Sequence, residues 1–304
     1  MYESIYKFMK VGIIHFMAYP QTMKGEGPIL ETLQKIAEDD FFTAVEVTWM
    51  KDAAIRQKAK ALLEESHLAV AYGAQPRLLV NKLDINSFDE EERKQAIQQV
   101  KEGIDEAYEL GAKALGFLSG KDPGEEKREQ ALDLLIASTK EVCAYAQSKG
   151  DLKIALEVFD YDIAKKCLIG PVDLALRYAK EVRSEFANFG MMVDLSHLPL
   201  LYESPKESLL PIKDYITHAH IGNCIMRDES HVGYGDEHPR FGIKGGENDV
   251  AELTEYLRVL LDIGYLNTDN PPFVSFEVKP LPGEHPEVII ANGKRVLREA
   301  WARV

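Results

Sequence analysis

Short apolar runs alternate along this chain with longer segments of helical period, and eight such units can be counted. The runs fall at residues 10–16, 44–49, 69–73, 114–118, 154–159, 191–195, 216–221 and 273–278. They are rich in Val, Ile, Ala and Phe, and several are apolar almost throughout, as parallel strands are when both faces are covered. Alternation of this kind argues for parallel strands joined by crossover helices. Eight units describe a single (β/α)8 barrel, and 304 residues with 45% apolar content suit one domain over residues 1–304, since barrels of about 250 residues routinely form one domain.

The intervening segments read as helices by period and by their ends. Residues 91–110 carry Ile97, Val100, Ile104, Ala107 and Tyr108 at three-and-four spacing, an apolar stripe that packs outside the sheet. Asp122-Pro123 and Ser204-Pro205 each put a capping side chain before a proline suited to the first helical position. Gly111, Gly150 and Gly264 stand where helices should stop. No Ser-rich linker, low-complexity tract or short repeat marks a second domain. The longest irregular stretch is 222–246, after the seventh strand, and loops beyond about 15 residues in compact domains tend to be functional, an insertion without chemistry being the alternative.

Charge narrows the partners. Acidic residues outnumber basic ones by 50 to 36, a formal charge of -14, which repels nucleic acid and anionic membranes at long range. Neither is an expected partner. Cys143, Cys167 and Cys224 form neither a C-x-x-C pair nor an evident disulfide framework, and a reducing cytoplasm is the expected compartment. The apolar run 11–19 is shorter than a membrane span, lacks a small-residue cleavage site and contains His15; it reads as a first strand rather than a signal.

In such a barrel the C-terminal strand ends surround the active site. Four strands end in metal-competent side chains: Glu157, Asp194, His220 and Glu277. A single carboxylate after an apolar strand is often a helix cap or a solvated group. Two Glu, one Asp and one His from separate strands would leave uncompensated negative charge in one cavity, and a divalent cation is the simplest way to neutralise it. An oxygen-rich shell suits Mn2+, Mg2+, Co2+ or Zn2+.

At these same residues the sequence resembles the xylose-isomerase-like barrel family, which includes sugar epimerases and isomerases, keto-inositol enzymes and apurinic-site endonucleases. The resemblance spans nearly the whole chain, and its most specific pieces are Glu157 closing strand five, Asp194-Leu195-Ser196-His197 closing strand six, His220 on strand seven and Glu277 on strand eight. It implies that the four positions bind one metal and that, as in the epimerase branch, Glu157 and Glu277 also serve as acid and base. The chemistry agrees, because moving a proton next to a carbonyl needs a base, an acid and an electrophile that stabilises the enediolate. That both glutamates are ligands only stays open.

His197 follows Asp194 by three residues and can face the same cavity, although a lone His there is more often structural. Arg240 lies in the loop Gly235-Asp236-Glu237-His238-Pro239-Arg240-Phe241-Gly242, a composition suited to contacting substrate; a surface charge is the alternative. Asp236 and His238 also resemble the segment that, with the histidine matching His197, holds an additional zinc in the endonuclease branch, so a second metal at His197, Asp236 and His238 is weighed. Strands two and three end as Glu46-Val47-Thr48-Trp49 and Tyr72-Gly73-Ala74-Gln75, without the histidines that branch uses for its remaining zinc. Gly222-Asn223 departs from the basic residue and Asp that many relatives carry after the histidine. His15, Glu46, Trp49 and Lys279 are further candidates to line a sugar pocket, each with an equal structural reading. His218 lies one layer deeper than His220. No Walker loop or dinucleotide fingerprint is present.

The expectation is a metal-dependent epimerase or isomerase acting on a small-molecule sugar or related keto-polyol. The alternative is a dehydratase of a keto-inositol or hydroxy-keto acid. A sugar-binding barrel without turnover and an apurinic-site endonuclease stand behind these. A homo-oligomer is compatible with the sequence but is not read from it.

Overall fold

The computed structural model describes residues 3–304. Eight parallel strands are paired in the order β1-β8-β7-β6-β5-β4-β3-β2: β1 Lys10–Ile13, β2 Ala44–Val47, β3 Ala69–Gly73, β4 Ala114–Leu118, β5 Lys153–Glu157, β6 Phe189–Asp194, β7 Ile216–Gly222 and β8 Phe273–Glu277. The barrel shuts between β1 and β2 through a single parallel bridge, Ile14 to Glu46, and the Thr43 N–H donated to the Val11 carbonyl at 2.9 Å. Eight crossover helices cover the outside: α1 Ile29–Ala37, α2 Ala53–Ser66, α3 Glu90–Glu109, α4 Arg128–Lys149, α5 Val172–Arg183, α6 Pro205–Ile212, α7 Val250–Asp262 and α8 Pro286–Arg303. Among the described residues no helix is long and apolar enough to cross a membrane.

Local chemistry sets these limits. Ser204 and Glu207 form a capping box at α6, and Asp249 with Glu252 forms another at α7, each satisfying amides that the first turn leaves without partners. Gly111 and Gly264 adopt left-handed φ of 75° and 76° just past α3 and α7. Two expectations need correcting. Asp122-Pro123 starts no helix: α4 begins at Arg128, and Asp122 is instead paired with the Arg128 guanidinium at 2.6 Å. The first strand stops at Ile13, and His15 opens a one-turn helix, His15–Ala18.

The main core lies between sheet and helices; Ile97, Val100, Ile104 and Ala107 of α3 all belong to it. Several residues inside the barrel are small. Ala44, Ala71 and Ala114 pack with Phe273 in a separate cluster, and a Cβ on Gly12 or Gly116 would come within 2.4 Å of Ser275 Oγ or 2.6 Å of Met192 Cε. This narrow interior leaves room above it for a layer of polar side chains.

A buried ion pair braces the β2 and β3 exits. Arg77 Nη2 lies 2.6 Å from Glu106 Oε2, Arg77 Nε donates to the Tyr72 hydroxyl at 2.9 Å, and Glu106 Oε1 accepts the Met50 amide at 2.6 Å. Removing one member strands the other's charge, so Arg77→Met is expected to cost about 3–5 kcal/mol in urea unfolding. The double change Arg77→Met with Glu106→Leu should recover most of that loss.

Candidate functional site

Strand register sets Asp194 opposite His220 and leaves Glu157 and Glu277 one side-chain period to either side along their strands. Glu157 stands opposite Met192, Asp194 opposite His220, and Glu277 opposite Gly222. One irregularity contributes: between Met191 and Met192 the β6–β7 register jumps from Ile216 to His218, an extra residue that realigns β7 against β6. Gly222 is required where it is, since a Cβ there would lie 2.5 Å from the Glu277 carbonyl oxygen.

Glu157, Asp194, His220 and Glu277 are all buried and each offers a ligand atom within 4.8 Å of the others. His220 Nδ1 lies 2.9 Å from Glu277 Oε2 and 3.4 Å from Glu157 Oε1, yet none of these three atoms has a hydrogen-bond partner. Buried polar atoms without partners are rare and call for a reason. Three of them, facing one another across one point, form a donor set of carboxylate and imidazole lone pairs that fits a divalent cation. Burial, with the charge of Glu157 added, pushes the Glu277 carboxyl above its ordinary range, the response of an acid crowded by a like charge.

Three of the four side chains are braced from behind. Gln75 Nε2 donates to Glu157 Oε2 at 2.7 Å, leaving Oε1 to face the centre. The Ser196 amide donates to Asp194 Oδ1 at 2.9 Å. Glu46 reaches across the barrel and accepts from Nε2 of both His218, at 2.7 Å, and His220, at 3.1 Å. Burial opposes the charge on Glu46, but His218 and His220 outweigh it and hold the carboxyl well below its usual range. With the Nε2 proton of His220 committed to Glu46, the Nδ1 lone pair is turned toward Glu157 and Glu277. This is how carboxylates orient metal-binding histidines. Glu46→Gln is therefore expected to weaken divalent-ion affinity about 10–100-fold, measured by competition with a chromophoric chelator.

His197 joins this constellation. Its Nδ1 donates to the Val158 carbonyl at 2.7 Å, its Nε2 faces Asp236 Oδ1 at 3.0 Å, and its ring lies 4.4 Å from that of Phe159. Burial favours the neutral ring, but Asp236 and Asp194 raise its pKa to about 10. His238 is 2.8 Å from Asp236 Oδ1 and 3.3 Å from Glu277 Oε1. The long loop carrying these residues is stapled by buried Asn223, which accepts the Cys224 and Asn248 amides and donates to the Arg240 carbonyl.

Other sequence candidates lie elsewhere. His15 donates from Nε2 to Thr32 Oγ1 at 2.7 Å, because Thr32 gives its own proton to the Pro28 carbonyl; burial lowers its pKa to about 4. It fastens α1 rather than facing the centre. Trp49 donates to the Met23 carbonyl at 2.8 Å, and the Lys51 and Arg77 cations lie 5.2 and 5.4 Å from its ring. Arg240 is half-exposed and paired with Glu284 at 3.0 Å, and Lys279 is paired with Glu237. Glu46 sits beneath His220 rather than at a pocket wall. Sequence reasoning missed the bracing roles of Gln75 and Ser196 and the part played by Lys165, whose ammonium is paired with Asp236. A cavity of about 400 Å3, lined among others by Leu78, Leu83, Leu118 and Lys165, opens at the same end of the barrel. It lies beside the ligand cluster rather than over it.

Comparison with known proteins agrees with this architecture. A family model described as xylose isomerase-like TIM barrel matches residues 33–300. No curated protein matches the sequence. Among solved structures, a D-tagatose 3-epimerase-like protein superposes with a TM-score of 0.73 at 20% identity, covering 97% of this chain and 98% of that one. The IolI protein with a bound zinc atom gives 0.74 at 16%, covering 97% and 99%. D-psicose 3-epimerase from Clostridium cellulolyticum H10, solved with D-tagatose, gives 0.66 at 20%, covering 97% and 96%. At these identities the likeness is one of fold.

Proposed function

The chain belongs to the xylose isomerase-like TIM-barrel family, and from that premise we propose that it is a divalent-metal-dependent epimerase or isomerase of a sugar or related keto-polyol. The observation that carries this reading is the convergence of Glu157 Oε1, His220 Nδ1 and Glu277 Oε2, all buried and without partners, beside Asp194. Glu157, Asp194, His220 and Glu277 would hold the ion, with Mn2+, Mg2+, Co2+ or Zn2+ as its class. When bound, such an ion supplies the positive charge that polarises a carbonyl and offsets the charge that builds as the neighbouring C–H bond breaks.

The protein's own groups do the rest. Glu157 and Glu277 close strands separated by β6 and β7, so they approach a substrate from two sides. One takes the carbon-bound proton and the other returns it, on the same or the opposite face, which makes epimerisation and aldose-ketose isomerisation variants of one proton transfer. Gln75 keeps one Glu157 oxygen fixed so that the other is aimed. His197, with both ring nitrogens engaged, is placed to steady a substrate oxygen by exchanging its Asp236 contact for one to the sugar.

The test is proton exchange. Metal-loaded protein incubated with a panel of ketoses in D2O should place deuterium on the carbon beside the carbonyl of at least one of them and yield an epimer or isomer of the same elemental formula apart from that isotope. A product lighter by one water would move the protein to the dehydratases, and ketose binding with no exchange would remove turnover altogether.

A further inference from the structure

Beside the proposed metal centre lies a second convergence of ligating side chains. Asp194, His197 and His238 offer ligand atoms within 4.8 Å of one another. Asp236 Oδ1 joins them, 3.0 Å from His197 Nε2 and 2.8 Å from His238 Nε2. By donor type and spacing, two imidazoles with a carboxylate suit a divalent ion as well as the first set does. What distinguishes this cluster is a fixed positive charge already within it: the remaining Asp236 oxygen is in close ion pair with the Lys165 ammonium.

That lysine is held in place by its own loop. The Asp160 carboxylate, fully buried, accepts the amides of Ile163, Ala164 and Lys165 at 2.9, 2.7 and 2.7 Å, which curls the segment after β5 back over the barrel mouth. The Lys165 Nζ also lies 5.9 Å from the centre of the Phe159 ring, the ring against which His197 packs. An ammonium has three protons and no lone pair, so it neutralises Asp236 without linking it to the histidines. It also places a positive charge on the carboxylate oxygen beside the one that faces the two histidines, where it repels an incoming cation.

We infer that Lys165 takes the place of a second metal ion: the native chain holds a cation at Glu157, Asp194, His220 and Glu277 only, and the cluster of His197, Asp236 and His238 becomes a metal site when the ammonium is removed. This builds on the proposed function, which supplies the first ion, but its test is separable from it. Native protein, Lys165→Met and the double variant Lys165→Met with Asp236→Asn are each dialysed against Co2+ or Zn2+, and bound metal per chain is counted by mass spectrometry. Expected counts are one, two and one. Two ions on the native chain overturn the inference, and this measurement needs no variant to fold. No gain in Lys165→Met, with its melting temperature showing a folded chain, overturns it equally. A native count of zero instead refutes the proposed function; the inference then stands if Lys165→Met gains one ion that Asp236→Asn removes, and falls if it gains none.

Discussion

Replacing Glu157 or Glu277 by glutamine is expected to abolish deuterium transfer to substrate and to lower turnover by about 10²–10⁴-fold, the contribution of a positioned acid or base. The fold should survive both changes. Glutamine has the shape of glutamate, and its carbonyl oxygen at position 157 can still accept the Gln75 amide proton that Glu157 accepts at 2.7 Å. What disappears is the ability to hold and release a proton. Circular dichroism and melting temperature report the fold, and mass spectrometry of substrate recovered from D2O reports the exchange. Full exchange in both variants would reduce the two glutamates to ligands and remove the acid/base assignment.

Stripping divalent metal should lower the melting temperature sharply, and restoring it should reverse the loss. An ion present at about a thousand times its dissociation constant stabilises the native state by about 4 kcal/mol. The cause here is three carboxylates, from Glu157, Asp194 and Glu277, buried together with one histidine. The same geometry fixes a pH dependence. The Glu277 pKa is raised by burial and by Glu157, so in metal-free protein its contribution favours folding below the ordinary carboxyl value of 4.5 and is lost as pH rises through the raised value. Acid therefore relieves Glu277 in the metal-free form, against the opposite pull of Asp194, where burial is outweighed by His197, His238 and His220 and the pKa is lowered, while protons displace the cation from the loaded form. The stability gap between the two should narrow as pH falls through that window, measured as melting curves with Mn2+ and with a chelator. A melting temperature indifferent to chelator at neutral pH would contradict the metal centre itself.

The barrel and the convergence of four strand-end side chains were legible because both follow from periodic signals. Strand exits in a parallel barrel face one mouth, so Glu157, Asp194, His220 and Glu277 could be picked out by position alone, and their side chains converge there. Side chains that depend on bends were not legible. His15 was assigned to a strand because the run around it is apolar, but the chain turns helical after Ile13 and delivers the ring to Thr32. Glu46 was read as a pocket residue because nothing local says that it meets His218 and His220, more than 170 residues away in the chain, across the barrel interior. Arg240 carries the same charge whether it faces a sugar or, as found, Glu284. Lys165 gave no signal because its place depends on the curl around Asp160. Asp122-Pro123 has the composition of a cap, but the Arg128 guanidinium claims the aspartate.

The narrow join between β1 and β2 also ties closure of the barrel to the chemistry at its mouth. Glu46 is one of the two residues in the lone bridge there, and it is the same residue that fixes which nitrogen of His220 is left bare. Without that seam Glu46 would not be held against His220, and the imidazole would lose the contact that turns Nδ1 toward Glu157 and Glu277. Barrel closure and the presentation of the His220 Nδ1 lone pair are thus joined through one side chain, Glu46.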